Sequence, residues 1–322
     1  MRPTLPVIVA LAVLVSAGFG ADLSAAEIIK SNVVHCDLKL QGAIESGDFE
    51  RPRDQLDKAE RLCLNSPGGS YFDGIKLFQH IAESKIKTAV EASDSCLSAC
   101  AIAFMGGADG AYGDRFPART IYAGGVLGFH SPFLVGSVSS KLPSEVNNLA
   151  FGIEVGVRVV AALLRADKFN LLPKRLLAEM LETPSSSIYA IDTLAKIALA
   201  DVALAGIAAP AKITKSMLYR ACVNSDPWQS DAEAPKPDEV KQNQVAVLDR
   251  SNRYRIIFQG FELQGMSSCA VEVVKNESDT EIFIKIEYGD LSRVAMTESD
   301  KKPSWLLFPR DTKILHLSPL AR

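Results

Sequence analysis

One stretch constrains this chain more than any other. The apolar run Arg61-Leu62-Cys63-Leu64 passes through Asn65-Ser66-Pro67-Gly68-Gly69-Ser70 directly into a helical pattern, Tyr71–Ser84. A short strand that turns straight into a helix is a building block of α/β folds. Pro67 fixes one φ angle, whereas Gly68 and Gly69 can take dihedrals closed to other residues and let the backbone approach a ligand. The turn opens a helix, so free N–H groups and the positive dipole end face outward there. Such a corner can hold an oxyanion, although a glycine-rich turn by itself also serves simply as a turn.

The flanking pattern extends the same theme. A strand is expected within Val33–Leu40, a helix over residues 50–60 and a further strand at Lys87–Val90. Ile75, Phe78 and Ile81 share one face of the 71–84 helix. This alternation predicts a parallel sheet with crossover helices. Ser95 to Gly107 is rich in small residues and then apolar, which predicts a buried helix beginning at or just before Ser98. Gly124 to Pro132 reads as a strand ending in His130. Helices are expected at 144–166 and 174–181, a loop at 183–187, and another helical stretch at 190–207 closed by Gly206.

Composition shifts after Val223. Residues 216–244, with Pro227, Pro235 and Pro237, read as a linker. Strands are then expected at 245–249, 253–259, 269–275, 281–288, 304–308 and 313–317, with a turn at Asn276–Asp279 that also fits a glycosylation acceptor. The expected organisation is an α/β domain over 27–215, the linker, and a small β-rich domain over 245–322. A chain of 322 residues, 48% hydrophobic, can bury cores of that size. Its net charge of −3 gives no reason to expect a nucleic-acid partner.

Residues 1–26 read as a secretory signal: Arg2, then apolar Val7–Phe19, then small residues, with cleavage expected after Ala26 or alternatively near Gly20 or Ala21. An uncleaved anchor is the other reading of this segment. Export to the periplasm or beyond makes disulfides plausible for the six cysteines, which allow fifteen pairings. Position favours Cys36 with Cys63 and Cys222 with Cys269; Cys96 and Cys100 can pair or stay free. The four histidines show no metal-ligand spacing, so neither a metal nor a cofactor is expected.

Three features fit one chemistry. Ser98 at a helix start can present its hydroxyl, with the Ala99 amide free beside it. Gly68 and Gly69 supply further amides, and His130 can act as base. Acyl transfer needs a nucleophile, a base within reach and two donors for the developing oxyanion. A simple N-cap for Ser98 and a core position for His130 are the bland alternatives. A Ser–Lys pair using Lys141 is another.

Leu64-Asn65-Ser66-Pro67-Gly68-Gly69, the Cys96-Leu97-Ser98-Ala99-Cys100 segment and Gly128-Phe129-His130-Ser131-Pro132 resemble, in order and rough spacing, the proteolytic subunit of the Clp protease, and most closely its exported homologues. The resemblance covers about residues 33–209. It implies a Clp/crotonase ββα spiral, Ser98 as nucleophile, His130 as base, and Gly69 and Ala99 amides as oxyanion hole with Gly68 shaping the turn. It implies a peptide or protein substrate and a homo-oligomer. Export argues against coupling to an ATP-driven unfoldase. In the family an Asp orients the histidine, yet the matching position here is Ser187, with Asp192 five residues on. The expectation is therefore a serine peptidase with a rebuilt third member, or else a non-catalytic envelope protein on the same scaffold.

Overall fold

The computed structural model describes residues 25–33, 35–50, 53–111, 113–133, 145–208, 210, 212–225, 244–250, 253–259, 267–275, 280–288, 291 and 294–317. The expected signal segment up to residue 24, Lys141 and the 276–279 turn lie outside them.

The described strands and helices run β1 (Glu27–Lys30), β2 (Leu38–Gln41), α1 (Arg53–Leu56), β3 (Arg61–Asn65), α2 (Tyr71–Ser84), β4 (Lys87–Val90), β5 (Ser95–Leu97), α3 (Ala99–Phe104), β6 (Ala108–Asp109), β7 (Phe116–Pro117), β8 (Arg119–Tyr122) and β9 (Val126–Phe129). Then follow α4 (Glu145–Ala166), α5 (Lys174–Glu182), β10 (Tyr189–Ala190), α6 (Leu194–Leu199), β11 (Ala203–Ala205), α7 (Lys215–Ser225), β12 (Gln244–Arg250), β13 (Arg253–Gln259), β14 (Ser267–Lys275), β15 (Thr280–Tyr288) and β16 (Lys301–Lys302).

The fold is mixed α/β. Among the described residues the main sheet has the order β1-β2-β3-β4-β8-β11. β1 is antiparallel to β2 and the other neighbours are parallel. Parallel pairing of β2, β3 and β4 requires crossovers, and α2 supplies the one between β3 and β4. It starts cleanly because Ser70 caps it, accepting from the Asp73 N–H, and it ends where Lys85 turns left-handed. Its apolar stripe places Leu77, Phe78 and Ile81 in the core, each fully or nearly fully buried. Each such side chain contributes about 1.5–3 kcal/mol by leaving water.

A second, small sheet has the order β10-β9-β5. β5 runs parallel to β9, with Leu97 opposite Gly128, so the residues that follow each strand emerge at the same end. Those residues are Ser98 and, one position further on, His130.

Several sequence expectations are corrected. The 190–207 stretch is not one helix. α6 stops at Leu199, Asp201 turns left-handed at φ +52°, and Ala203–Ala205 becomes a parallel strand beside β8. An alanine-rich run favours helix locally, but here the open edge of the sheet takes it and Leu204 is buried there. Residues 216–225, placed in the expected linker, belong to α7, which starts at Lys215. That helix packs Leu218, Tyr219 and Cys222 against the sheet of β12 to β16. The expected strands at 304–308 and 313–317 are instead single 3-10 turns, Ser304–Leu307 and Ile314–His316. Pro303 and Pro309 remove ladder donors on either side of the first. The second buries Ile314 in the main core and joins the two halves of the chain through Ile314 N–H to Asp192 O, 2.9 Å.

Three disulfides are present: Cys36–Cys63, Cys96–Cys100 and Cys222–Cys269. They suit an oxidising compartment outside the cytoplasm. Among the described residues no helix is long and apolar enough to cross a membrane.

Candidate active site

The site is assembled where β3, β5 and β9 end. Ser66 bridges the two sheets: its N–H donates to Ser95 O at 2.7 Å and its carbonyl accepts from Leu97 N–H at 3.0 Å. This docks the Pro67-Gly68-Gly69 turn against the segment that carries Ser98. Gly68 (φ +95°) lies against that segment with no room for a side chain, and Gly69 (φ +138°) is equally tight against Ile44.

Ser98 adopts φ +57°, ψ −123°. That combination is sparsely populated for any residue with a Cβ and costs on the order of 1–3 kcal/mol. The surroundings impose it. Ser98 N–H is bonded to Gly128 O at 2.9 Å, its carbonyl accepts from Ile102 N–H at 3.2 Å, and the Cys96–Cys100 disulfide closes the corner across it. A sharp strand-to-helix corner with a strained serine at its tip thrusts the hydroxyl out of the backbone, the geometry of a nucleophile elbow. Although Ser98 occupies the N-cap position of α3, its side chain makes no capping bond.

The amides around it divide by availability. Gly68 N–H is occupied by Ser66 Oγ at 3.1 Å. Gly69 is exposed, and among the described residues neither its N–H nor that of Ala99 has an acceptor. Gly69, at the cavity, and Ala99, buried beside Ser98, thus remain as the unpaired donors, while Gly68 packs the turn against the Ser98 segment.

His130 follows β9, half-buried, and lines the same cavity as Ser98 and Gly69. Its Nδ1 lies 2.8 Å from Ser131 O. A carbonyl only accepts, so Nδ1 is the donor in this contact, which in the neutral ring leaves the Nε2 lone pair facing away from it. Ser131 is itself anchored by its N–H to Thr183 O at 2.9 Å. The ring of Phe133 packs 5.6 Å from the imidazole. No hydrogen bond joins Ser98 Oγ to His130, although both line the same cavity.

Neither expected third member reaches His130. Ser187 is exposed in the 183–188 turn, its N–H bonded to Pro184 O at 2.9 Å. Asp192 is engaged elsewhere, 2.9 Å from Lys196 Nζ and in contact with Lys313. Partial burial works against ionisation of Asp192, but hydrogen bonds from Lys313 and Lys196 outweigh it and hold the carboxyl below the usual aspartate range. The group behind the imidazole is therefore a main-chain carbonyl, which no residue type announces in a sequence.

The cavity has a volume of about 840 Å³. Phe72, Ile102, Phe133, Val155, Val159 and Leu181 form its apolar wall, with Ser98 and His130 beside them. α4 closes one side, held to the start of α2 by Tyr71 Oη donating to Val159 O at 3.2 Å. Burial raises the Tyr71 phenol well above its ordinary value, so it stays a donor. Sequence reasoning placed α4 but not its part in the cavity.

Neither models of known protein families nor curated proteins match the chain.

Proposed function

We propose that this chain is an exported serine hydrolase of the Clp-protease-like class, built on a Clp/crotonase-type core, that works through an acyl-enzyme on Ser98. The observation that carries the reading is the strained Ser98 corner with the unpaired amides of Gly69 and Ala99 beside it. In this reading Ser98 Oγ attacks the substrate carbonyl carbon as His130 Nε2 takes the hydroxyl proton. The oxyanion is held by the Gly69 and Ala99 N–H groups. The bond to the leaving group breaks as the imidazolium returns the proton to it, and water repeats the sequence to release the acid and restore Ser98. Ser131 O fixes the productive tautomer. It lacks the charge with which a carboxylate also stabilises the imidazolium, so a modest rate is expected. The resemblance taken alone implies a short or unfolded peptide as substrate, while the acyl-enzyme chemistry is the same for an ester.

A second reading, a non-catalytic envelope scaffold, draws on the missing carboxylate behind His130 and the missing bond from Ser98 to it. A fluorophosphonate probe separates the two. The hydrolase labels at Ser98, and labelling is lost in Ser98→Ala. Equal labelling of both proteins, or none of the folded wild type, establishes the scaffold.

A further inference from the structure

We infer that the acyl group this site accepts is a long unbranched hydrocarbon chain, carried on an ester rather than within a peptide. The inference rests on the hydrolase reading for the chemistry, and on the cavity for the chain.

Size comes first. An apolar cavity of about 150 Å³ already holds a benzene-sized group. The cavity beside Ser98 is about 840 Å³, so the side chain of one leucine or phenylalanine leaves most of it unfilled. Small-molecule pockets span roughly 300–1,000 Å³, and this one lies in the upper part of that range. Two of its lining residues on α4 are glycines, Gly152 and Gly156, and a Cβ built on either meets nothing within 4 Å. The helix thus leaves room along its own surface.

Polarity points the same way. Among the described lining residues the single charged one is Arg158, which is 76% exposed and paired with Glu154 on its own helix. Apart from that paired arginine, the described lining presents no charged group to a substrate, and most of its surface is apolar. Phe72 and Phe133 line the cavity and are also more than half exposed, so its mouth is apolar as well.

The strand that leads into His130 and the turn at Gly69 offer a peptide no free edge. A substrate chain is commonly held by adding a strand to an open edge. Here Ile44 already occupies the turn beside Gly69, taking Gly68 O through its N–H at 2.8 Å and Ser70 N–H through its carbonyl at 2.6 Å. β9 is paired on both sides, by β5 and β10. An ester needs no such edge, only the two oxyanion donors and a sleeve for its chain. Ser98 then forms the acyl ester, the alcohol departs with the proton from His130, and water releases the carboxylic acid.

The test uses the chain from residue 27 onwards and p-nitrophenyl esters of two to twelve carbons, alongside blocked peptide coumarylamides with leucine or phenylalanine at the cleaved carbonyl. Each buried methylene is worth roughly fourfold, so kcat/KM should rise at least tenfold from acetyl to a medium or long chain. Gly156→Leu and, separately, Val159→Phe should each lower the long-to-acetyl ratio at least tenfold, folding being checked by circular dichroism. A flat or falling chain-length profile, unchanged ratios in both variants, or peptides cleaved faster than every ester overturns the inference. Failure of the hydrolase reading is separately visible as absent fluorophosphonate labelling. In that event cis-parinaric acid binding decides the cavity alone: micromolar binding that Gly156→Leu weakens tenfold sustains a chain-binding site, and no binding overturns it.

Discussion

Gly68 is pressed so closely on Ser98 that a Cβ on the glycine would stand 2.7 Å from the serine Cβ, and 2.6 Å from Leu97 O. The Pro67-Gly68-Gly69 turn and the Ser98 corner are therefore one packed unit. Gly68→Ala meets two penalties, a positive φ of +95° and backbone contacts that cannot give way. Gly47 has a similar φ of +89° but open space around it. Gly47→Ala should cost about 1 kcal/mol from conformation alone. Gly68→Ala should cost at least about 2–3 kcal/mol and also slow fluorophosphonate labelling at least tenfold. Urea unfolding and labelling rates check both; equal costs for the two variants would remove the packed-unit account.

The disulfides differ in what they constrain. Cys222 and Cys269 are 47 residues apart and join α7 to β14, whereas Cys96 and Cys100 are 4 apart and straddle Ser98. By loop-closure entropy the first should stabilise by about 4 kcal/mol and the second by about 2 kcal/mol. The functional order is the reverse. Replacing Cys96 and Cys100 by alanine frees the corner to relax from its strained dihedrals and should reduce labelling at Ser98 at least tenfold. Replacing Cys222 and Cys269 should lower the denaturation midpoint further and leave labelling of the folded protein within about twofold.

What was legible in the sequence follows from which signals are local. Pro67-Gly68-Gly69 between an apolar strand and a capped helix fixes its own geometry, and β3, α2 and β4 lie where the residues place them. The small-residue run after Ser95 marks α3, and the strand expected within Gly124–Pro132 is β9, Val126–Phe129. The rest depends on distant partners. Ala203–Ala205 is strand only because β8 offers an edge, and nothing in Ala-Leu-Ala says so. Leu306 and Ile314 are apolar as strand residues are, but they sit in 3-10 turns between prolines and separate cores. The Ser98 dihedrals, unlike those of a glycine, leave no mark in residue type. The acceptor behind His130 is main chain and so carries no letter at all.

Asp192 bears on stability rather than on chemistry. Its carboxylate joins Lys196 and Lys313 and so ties the C-terminal segment to the main core. Its carboxyl lies below the ordinary aspartate range despite partial burial, because both lysines favour the ionised form. Such a group contributes stability above its unfolded value and loses that contribution as pH falls through the folded one, here below about pH 4. The side chain is 36% exposed, so screening keeps the contribution within about 1 kcal/mol. Asp192→Asn should destabilise slightly at pH 7, not at pH 2 to 3, and leave the pH profile of labelling unaltered. A profile shifted in Asp192→Asn would return the aspartate to the imidazole.

The last expectation concerns the carbonyl that replaces it. Ser131 acts through its backbone: the carbonyl faces His130 Nδ1, and the N–H holds that peptide unit to Thr183 O. Ser131→Ala keeps both groups, so labelling at Ser98 should stay within a few-fold of wild type. Ser131→Pro removes the N–H and with it the tether. The imidazole then loses its fixed tautomer and orientation. General-base assistance is worth about 10²–10⁴-fold, so even partial loss should slow labelling at least tenfold. Circular dichroism and thermal unfolding of each variant separate this from loss of fold. Equal labelling rates in folded Ser131→Pro and wild type would mean that the carbonyl does not orient the base, and that the imidazole is positioned by packing against Phe133 alone.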